Sequence, residues 1–158
     1  MRKIKYKKKI YNGDYKFNDE IITYFVNILM KNGKKNLAYK IFYKTIKIIK
    51  NKYKNKKILP LHIFKKSLKN ISPKYEIINR KIGGSTYNIP IKISKKKKMF
   101  LSIKWLIYYS KKKKGLNMSN KLANEIISSY NGIGESIKRK NEINKIAKSN
   151  KAFSHLKF

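Results

Sequence analysis

Apolar residues recur every three or four positions along the first part of the chain and predict three helices. The first begins near Asn18 and ends at Asn32-Gly33, where glycine can adopt the left-handed conformation that closes a helix. The second covers about Asn36 to Lys50, and the third begins at Pro60 and ends before Pro73. The predicted inward positions are Ile21, Phe25, Ile28 and Leu29, then Leu37, Ala38, Ile41, Thr45, Ile48 and Ile49, then Leu61, Phe64, Leu68 and Ile71.

The apolar period changes from near four to two between Tyr75 and Ile93. Two alternating runs flank Gly83-Gly84, which predicts two antiparallel strands joined by a tight bend. Pro90 cannot donate a backbone hydrogen bond, so its strand must be an edge strand. A two-stranded ribbon has only edge strands and is marginally stable alone, so we expect it to rest on the helices at its base or on a partner at its tip.

Helical spacing returns after the ribbon and predicts three more helices, over Lys98 to Lys111, Ser119 to Tyr130 and Glu135 to Asn150. A short aromatic and basic tail, Phe153 to Phe158, follows them. The predicted inward positions are Met99, Ile103, Leu106, Ile107 and Ser110, then Leu122, Ala123, Ile126 and Tyr130, then Ile133, Ile137, Ile143, Ile146 and Ala147.

The predicted architecture is mainly α, with a six-helix core and a protruding β-hairpin between the third and fourth helices. The length suits one domain over residues 1–158. Within it we expect a basic N-terminal arm at 1–16, a hairpin arm at 74–93 and a C-terminal tail at 151–158.

The charge balance points to a polyanionic partner. The chain carries 42 Lys+Arg and 7 Asp+Glu, a net charge of +35. At most seven cations can pair one-to-one with carboxylates, and the others repel one another unless an anion neutralises them. A nucleic-acid backbone is the usual anion, since a lysine surface kept for solubility does not need so large a charge. Because nearly all the cations are lysines, which bind phosphate as point charges, we expect salt-sensitive contacts.

The cations form clusters that we predict to contact RNA phosphates. Lys95, Lys96, Lys97 and Lys98 lie at the start of the fourth helix. Backbone N–H groups and lysines can converge there on one phosphate, unless the helix begins only after Lys98. The other clusters lie in the loops after the first and fourth helices, at the hairpin and early in the sixth helix. They are Lys34 and Lys35, Lys111, Lys112, Lys113 and Lys114, Arg80 and Lys81, and Lys138, Arg139 and Lys140.

Two aromatic residues adjoin these cations. Tyr87 follows the Gly-Gly bend, beside which a ligand can approach the backbone closely, and its ring can stack on an unpaired base. The bend also has a purely conformational explanation, because a tight turn needs glycine for its dihedral angles. Trp105 follows Lys104, and half-buried packing is the more typical role for a tryptophan in such a helix.

Several function classes find no support in the residues. The chain has no Cys, so disulfides and thiolate metal sites are excluded, and we expect no metal or cofactor. The longest apolar stretch, Ile21 to Met30, is too short to span a bilayer, and we see no secretory signal. His62 and His155 are far apart without a neighbouring carboxylate, so we expect no enzyme and keep a ribonuclease only as a remote alternative.

Four stretches, in order along nearly the whole chain, carry a family resemblance. They are Phe25 to Lys35 (FVNILMKNGKK), Gly83 to Ile91 (GGSTYNIPI), Leu122 to Ile126 (LANEI) and Asn150 to His155 (NKAFSH). Each stretch alone is weak. Taken together, with their spacing and the chain length, they resemble the bacterial-type family of small-subunit ribosomal protein S7.

The resemblance implies a fold and a function. The fold is a six-helix core with a hairpin. The function is primary binding of small-subunit ribosomal RNA, which nucleates assembly of the subunit head. The resemblance also implies contacts with the ninth and eleventh small-subunit proteins and a position near the transfer-RNA exit site. The residues it places near transfer RNA are Gly83, Gly84, Ser85, Thr86, Tyr87, Lys151 and His155.

Matched residue by residue, the resemblance also assigns RNA contacts. The family's N-terminal arm, first interhelical loop, hairpin and fourth and last helices supply them. The matching residues here are Arg2, Lys3, Lys5 and Lys8, then Lys34 and Lys35, Arg80 and Lys81, Lys104, and Lys138 and Arg139. The chain departs from the family pattern mostly by Lys in place of Arg, and by Phe158 in place of a terminal Trp.

Other interpretations stay open on composition alone. A histone-like DNA-compacting protein would share the charge and the glycine-tipped hairpin. A membrane-surface peptide fits less well, because apolar faces on six helices suit a shared core. For the leading interpretation we expect a cytoplasmic ribosomal location, in a bacterium or an organelle. We also expect marginal stability without RNA, because of the charge excess.

Overall fold

The computed structural model of the chain describes residues 12–54 and 58–156. The predicted arm contacts Arg2, Lys3, Lys5 and Lys8, and Phe158 in the tail, lie outside these residues. The chain divides into two compact units, residues 1–40 and 41–158, with the boundary inside the second helix. The expectation of a single domain stays a prediction.

The described residues confirm the predicted mainly helical fold, with a hairpin between the third and fourth helices. The helices and strands are α1 (Glu20–Leu29), α2 (Lys35–Lys52), α3 (Pro60–Ile71), β1 (Tyr75–Ile82), β2 (Ser85–Lys92), α4 (Lys95–Lys112), α5 (Met118–Tyr130), α6 (Glu135–Ser149) and a 3-10 helix (Lys151–Leu156).

In the first unit, local side-chain hydrogen bonds fix the approach to α1. The buried Asp14 carboxylate accepts hydrogen bonds from the backbone N–H groups of Lys16 and Phe17, each at 3.2 Å. Asp19 is the N-cap of α1, and its side chain accepts from the N–H of Ile21 at 3.0 Å. The helix ends at Leu29, earlier than the predicted Asn32-Gly33, which adopts left-handed conformations in the loop that follows.

The buried faces of α1 and α2 are turned slightly from the predicted ones. In α1 the buried apolar residues are Ile22, Phe25, Val26 and Leu29, whereas Ile21 and Ile28 are half-buried. In α2 they are Ala38, Phe42, Ile46 and Ile49, with Thr45 also buried, whereas Leu37 is exposed and Ile41 and Ile48 are half-buried. Adjacent apolar residues in these helices fit the helical period almost equally well, and the period alone does not choose between them.

Helix α5 lies at the centre of the second unit. Its residues Leu122, Ala123 and Ile126 are completely buried, and α3, α4 and α6 all contact it. The second half of α2 joins this core: the Thr45 hydroxyl donates to the carbonyl of Ser119 at 3.2 Å. All of the predicted inward positions of α5 except the half-buried Tyr130 are buried.

The residues of α3 and α4 that were predicted to face inward are buried, except for the half-buried Leu61 and Met99. The corresponding prediction for α6 is partly wrong. Ile137 and Ala147 are buried, but Ile133 is 75% exposed, since it lies in the loop before α6 begins. Ile146 is also exposed, because it lies one residue round the helix from Ala147 and faces a groove rather than the core.

The hairpin has an unbroken antiparallel register, with Tyr75 opposite Lys92 and Ile82 opposite Ser85. Gly83 and Gly84 form a two-residue turn with φ of +55° and +86°, as a type I′ turn requires. Pro90 lies in β2 opposite Ile77, as predicted for a ribbon. The base of the hairpin rests on other elements, because β1 contacts α6 and β2 contacts the 3-10 helix.

Candidate nucleic-acid interface

The four lysines at the start of α4 belong to the helix. Ser94 is the N-cap, and its hydroxyl accepts a hydrogen bond from the N–H of Lys97 at 3.4 Å. The alternative in which the helix begins only after Lys98 is therefore wrong. Lys95 and Lys96 are exposed beside the free N–H groups of the first turn, while Lys97 forms an ion pair with Glu76 of β1. Phosphate binding at this helix end stays a prediction.

A basic groove of about 920 Å³ runs between the base of the hairpin and the C-terminal helices. We define it by the five lysines among its lining residues, which are Lys74, Lys92, Lys145, Lys148 and Lys151. None of the described residues that line the basic groove is acidic; the others include Asn141 and Asn144. Such a set of amides and ammonium groups can donate hydrogen bonds to phosphate oxygens without competition from a carboxylate.

A second groove, of about 330 Å³, lies between β1, α4 and α6. Trp105 lines it together with Leu101, Ile143 and Arg139. Trp105 is half-buried, which confirms the predicted packing role. Lys104, its neighbour in sequence, is exposed and points its ammonium over the ring of Phe100, at 5.9 Å from the centroid.

The hairpin tip presents the predicted cations beside the glycine turn. Arg80 and Lys81 are exposed and lie opposite Tyr87 and Thr86. Tyr87 is half-buried, and its ring packs edge-to-face against Phe153 of the 3-10 helix with centroids 5.1 Å apart. The tyrosine predicted to stack on a base is thus already in contact with another ring of the same chain.

The cluster Lys111 to Lys114 divides into two parts. Lys111 and Lys112 form the last turn of α4, so the prediction that the whole cluster lies in a loop is wrong. Lys113 forms an ion pair of 2.8 Å with Glu125, a completely buried residue of α5. Lys114 is exposed. Of these four lysines, Lys113 has a clear role inside the fold.

Lys138, Arg139 and Lys140 on α6 each contact another group of the same chain. Lys138 pairs with Glu135 at 2.7 Å, which raises the pKa of Lys138, and Arg139 pairs with Glu142 at 3.1 Å. The Lys140 ammonium donates to the backbone carbonyl of Asn70 at 2.6 Å, near the end of α3. Lys138 and Arg139 remain exposed and can exchange their carboxylates for phosphates, whereas Lys140 is half-buried.

Comparison with known proteins decides among the interpretations. Residues 1–151 match the family described as ribosomal protein S7p/S5e. The chain is 42% identical to the small ribosomal subunit protein uS7 of Cytophaga hutchinsonii and 41% identical to that of Phocaeicola vulgatus. Each of these alignments covers 158 residues and the whole of both chains.

The chain belongs to the ribosomal protein S7p/S5e family. This confirms the resemblance drawn from the four sequence stretches. Membership of this family implies a structural role in the small ribosomal subunit and a ribosomal location. It favours the ribosomal interpretation over a histone-like DNA-compacting protein.

Sequence reasoning missed most of the basic groove of this S7-family chain. Lys74, Lys92, Lys145 and Lys148 were not predicted as contacts, although Lys151 was. A signal was present: Lys145, Lys148 and Lys151 recur every three residues, and residues three apart are neighbours on the surface of a helix. The hairpin lysines could not be added from spacing alone, because only the fold brings the two ends of the ribbon beside α6.

The remaining predicted residues, which are Lys34, Lys35 and His155, are exposed. Lys34 lies in the loop after α1, while Lys35 opens α2 rather than lying in the loop, with its ammonium 5.9 Å from the Tyr39 ring centroid. His62 lies on α3, and His155 Nδ1 is 2.7 Å from the Ala152 carbonyl oxygen. Across residues 12–54 and 58–156, no cluster of His, Asp and Glu could hold a metal ion, and no helix is long and apolar enough to cross a bilayer.

Proposed function

We propose that this S7-family chain is a primary binder of small-subunit ribosomal RNA, where it nucleates assembly of the subunit head without catalysing a reaction. The observation that carries the proposal is the basic groove, which five lysines line and in which none of the described lining residues is acidic. Family membership supplies the ribosomal context.

The mechanism is neutralisation of phosphates by lysines held in fixed positions. Lysines of the groove come from the hairpin, α6 and the 3-10 helix, so one RNA backbone lying there would contact three separate elements. Each neutralised phosphate releases condensed counterions, which makes affinity depend steeply on salt. With roughly six to ten phosphate contacts, affinity falls about 10³- to 10⁵-fold between low and moderate salt.

Finer parts of the proposal concern the neighbours. We propose contacts with the ninth and eleventh small-subunit proteins, and a position in which the hairpin tip and the 3-10 helix approach transfer RNA at the exit site. Exposure of Gly83 to Thr86, Lys151 and His155 supports such an approach, since their surfaces are accessible to a partner.

The test is binding of the purified chain to the head domain of small-subunit ribosomal RNA, with duplex DNA as competitor at moderate salt. We expect binding that survives the DNA. If unlabelled folded RNA and duplex DNA displaced the bound RNA equally well, the result would contradict the proposal and favour the DNA-compacting alternative.

A matched pair of variants tests the groove itself. Lys145→Gln with Lys148→Gln removes two groove charges and should lower the RNA affinity. The slope of log affinity against log salt concentration should also become shallower, by about one per lost contact. The control is Lys44→Gln with Lys47→Gln, which removes two exposed lysines at the same spacing from α2. Equal losses for the two double variants would mean that the charge acts generically rather than through the groove.

A further inference from the structure

Aromatic and lysine side chains alternate along one exposed face of α4. Phe100, Lys104, Tyr108 and Lys112 follow one another at intervals of four residues, which places them in one row along a helix. Phe100 is 38% and Tyr108 51% exposed, so part of each ring is accessible to a partner. We call these four residues the α4 ladder.

Each lysine of the α4 ladder lies over the ring one turn before it. Lys104 Nζ is 5.9 Å from the centroid of Phe100, and Lys112 Nζ is 4.9 Å from that of Tyr108. Cation–π contacts at exposed sites are weak, so either ammonium can move from the ring to a better anion without much loss. The ladder thus offers two ring surfaces, each with a mobile positive charge beside it.

The charge of α4 selects an anionic occupant. The helix contains seven lysines and no Asp or Glu over Lys95–Lys112. A partner for the α4 ladder must therefore combine negative charge with flat apolar surfaces at matching intervals. Unpaired nucleotides have this combination, since every base has a stacking face and every nucleotide has a phosphate.

We propose that the α4 ladder binds single-stranded RNA by stacking unpaired bases on Phe100 and Tyr108 while Lys104 and Lys112 contact the adjoining phosphates. The two rings are two helical turns, about 12 Å, apart along the axis, so they take two separate bases. A duplex hides its base faces inside the stack and offers this surface only its backbone. The proposal rests on the proposed RNA-binding function and adds the class of RNA that this face takes.

The test compares a single-stranded uridine oligomer of roughly ten nucleotides with an RNA duplex, at one salt concentration. The variant is Phe100→Leu with Tyr108→Leu, which removes both stacking surfaces but keeps apolar side chains and all lysines. We expect its affinity for the single strand to fall about 5- to 150-fold per ring lost, with duplex affinity unchanged. Circular dichroism and thermal melting establish that the variant folds, as expected for two exposed positions.

A conservative variant separates stacking from general damage. Tyr108→Phe keeps the ring and should bind the single strand like the wild type. Photo-cross-linking of the wild type to an iodouridine-substituted single strand should map to Tyr108 or Phe100. The proposal is overturned if the double leucine variant loses single-strand and duplex affinity equally, if it loses neither, or if an acidic peptide displaces the single strand from wild type but not from the variant.

The α4 ladder proposal and the proposed function can fail independently of each other. If the wild type binds the head-domain RNA tightly but the α4 ladder variants bind single strands unchanged, the ladder proposal fails and the proposed function stands. If the wild type does not prefer the head-domain RNA over duplex DNA, the proposed function fails whatever the ladder does.

Discussion

Lys113 Nζ lies 2.8 Å from Oε2 of Glu125, a residue with no exposed side-chain surface. The other carboxylate oxygen accepts hydrogen bonds from the N–H of Ser136 at 3.0 Å and from its hydroxyl at 2.7 Å. One buried carboxylate therefore ties the segment after α4 to the first turn of α6. Two segments with predicted RNA contacts are therefore positioned by a residue that is itself buried.

The protonation of Glu125 links this arrangement to pH. Burial is the largest influence and raises its pKa, but the Lys113 ammonium and the two Ser136 hydrogen bonds together outweigh burial. The pKa of Glu125 is therefore below its ordinary value of 4.5. Because the folded state then binds this proton less tightly than the unfolded state, the ionised carboxylate stabilises the fold at neutral pH. This contribution is lost as the pH falls through the lowered pKa.

Replacing Glu125 should reduce both stability and its dependence on acid. Glu125→Gln should lower the free energy of unfolding at neutral pH by about 2 kcal/mol, because the half-buried Lys113 loses its counter-charge. Urea denaturation between about pH 3 and pH 7 should show a flatter acid limb for the variant. The control is Glu142→Gln, an exposed carboxylate whose removal should change little. Parallel pH profiles for Glu125→Gln and the wild type would contradict the assignment.

Two adjacent lysines should separate stability from RNA affinity. Lys113→Met should destabilise the free protein, because it leaves Glu125 buried without its counter-charge. Lys114→Met, at the exposed neighbouring position, should leave the unfolding midpoint unchanged and weaken RNA binding modestly. Thermal melting and RNA titration of both variants measure the two quantities. A stability loss in Lys114→Met as large as in Lys113→Met would argue against a specific role for the ion pair.

Gly134 lies beside the Glu125 carboxylate and should not tolerate even alanine. Gly134 has an ordinary φ of −63°, where Gly→Ala commonly stabilises a protein by about 0.4–1 kcal/mol. Here a Cβ would lie 2.6 Å from Ser129 Oγ and 2.9 Å from Glu125 Oε1, in a buried site. We therefore expect Gly134→Ala to destabilise by about 1–3 kcal/mol in urea denaturation. An increase in stability would mean that the carboxylate can shift at little cost.

Several of these features were accessible from the sequence, and others were not. The hairpin followed from the alternation around Gly83-Gly84, because a period of two and a glycine pair leave few other structures. Burial of Glu125 could not be predicted, since a carboxylate in an amphipathic helix is usually exposed, and its partners Lys113 and Ser136 come from other segments. The α4 ladder is visible as a spacing, but its exposure depends on which side of α4 the core covers.

Substitutions of the two glycines in the hairpin turn should differ in how much they destabilise the hairpin. Gly83 and Gly84 both have positive φ and open space where a Cβ would lie, so conformation rather than crowding limits them. Gly83→Ala and Gly84→Ala should each cost about 1–2 kcal/mol of hairpin stability, whereas Gly83→Asn should cost little because asparagine accepts this conformation. Hydrogen exchange of the β1 and β2 amides measures the difference. Equal effects of alanine and asparagine at Gly83 would exclude a conformational cause.

The contact between Tyr87 and Phe153 should couple the hairpin to the 3-10 helix. Their rings pack edge-to-face with centroids 5.1 Å apart. The contribution of each ring to stability should therefore depend on the presence of the other. In a double-mutant cycle of Tyr87→Ala and Phe153→Ala, we expect a coupling energy of about 0.5–1.5 kcal/mol in the exchange protection of β2 amides. The control cycle combines Tyr87→Ala with Phe100→Ala and should be additive within about 0.5 kcal/mol. Additivity in the first cycle would mean that the hairpin is held by its other contacts with α6, and that Tyr87 is free to leave Phe153 for a base.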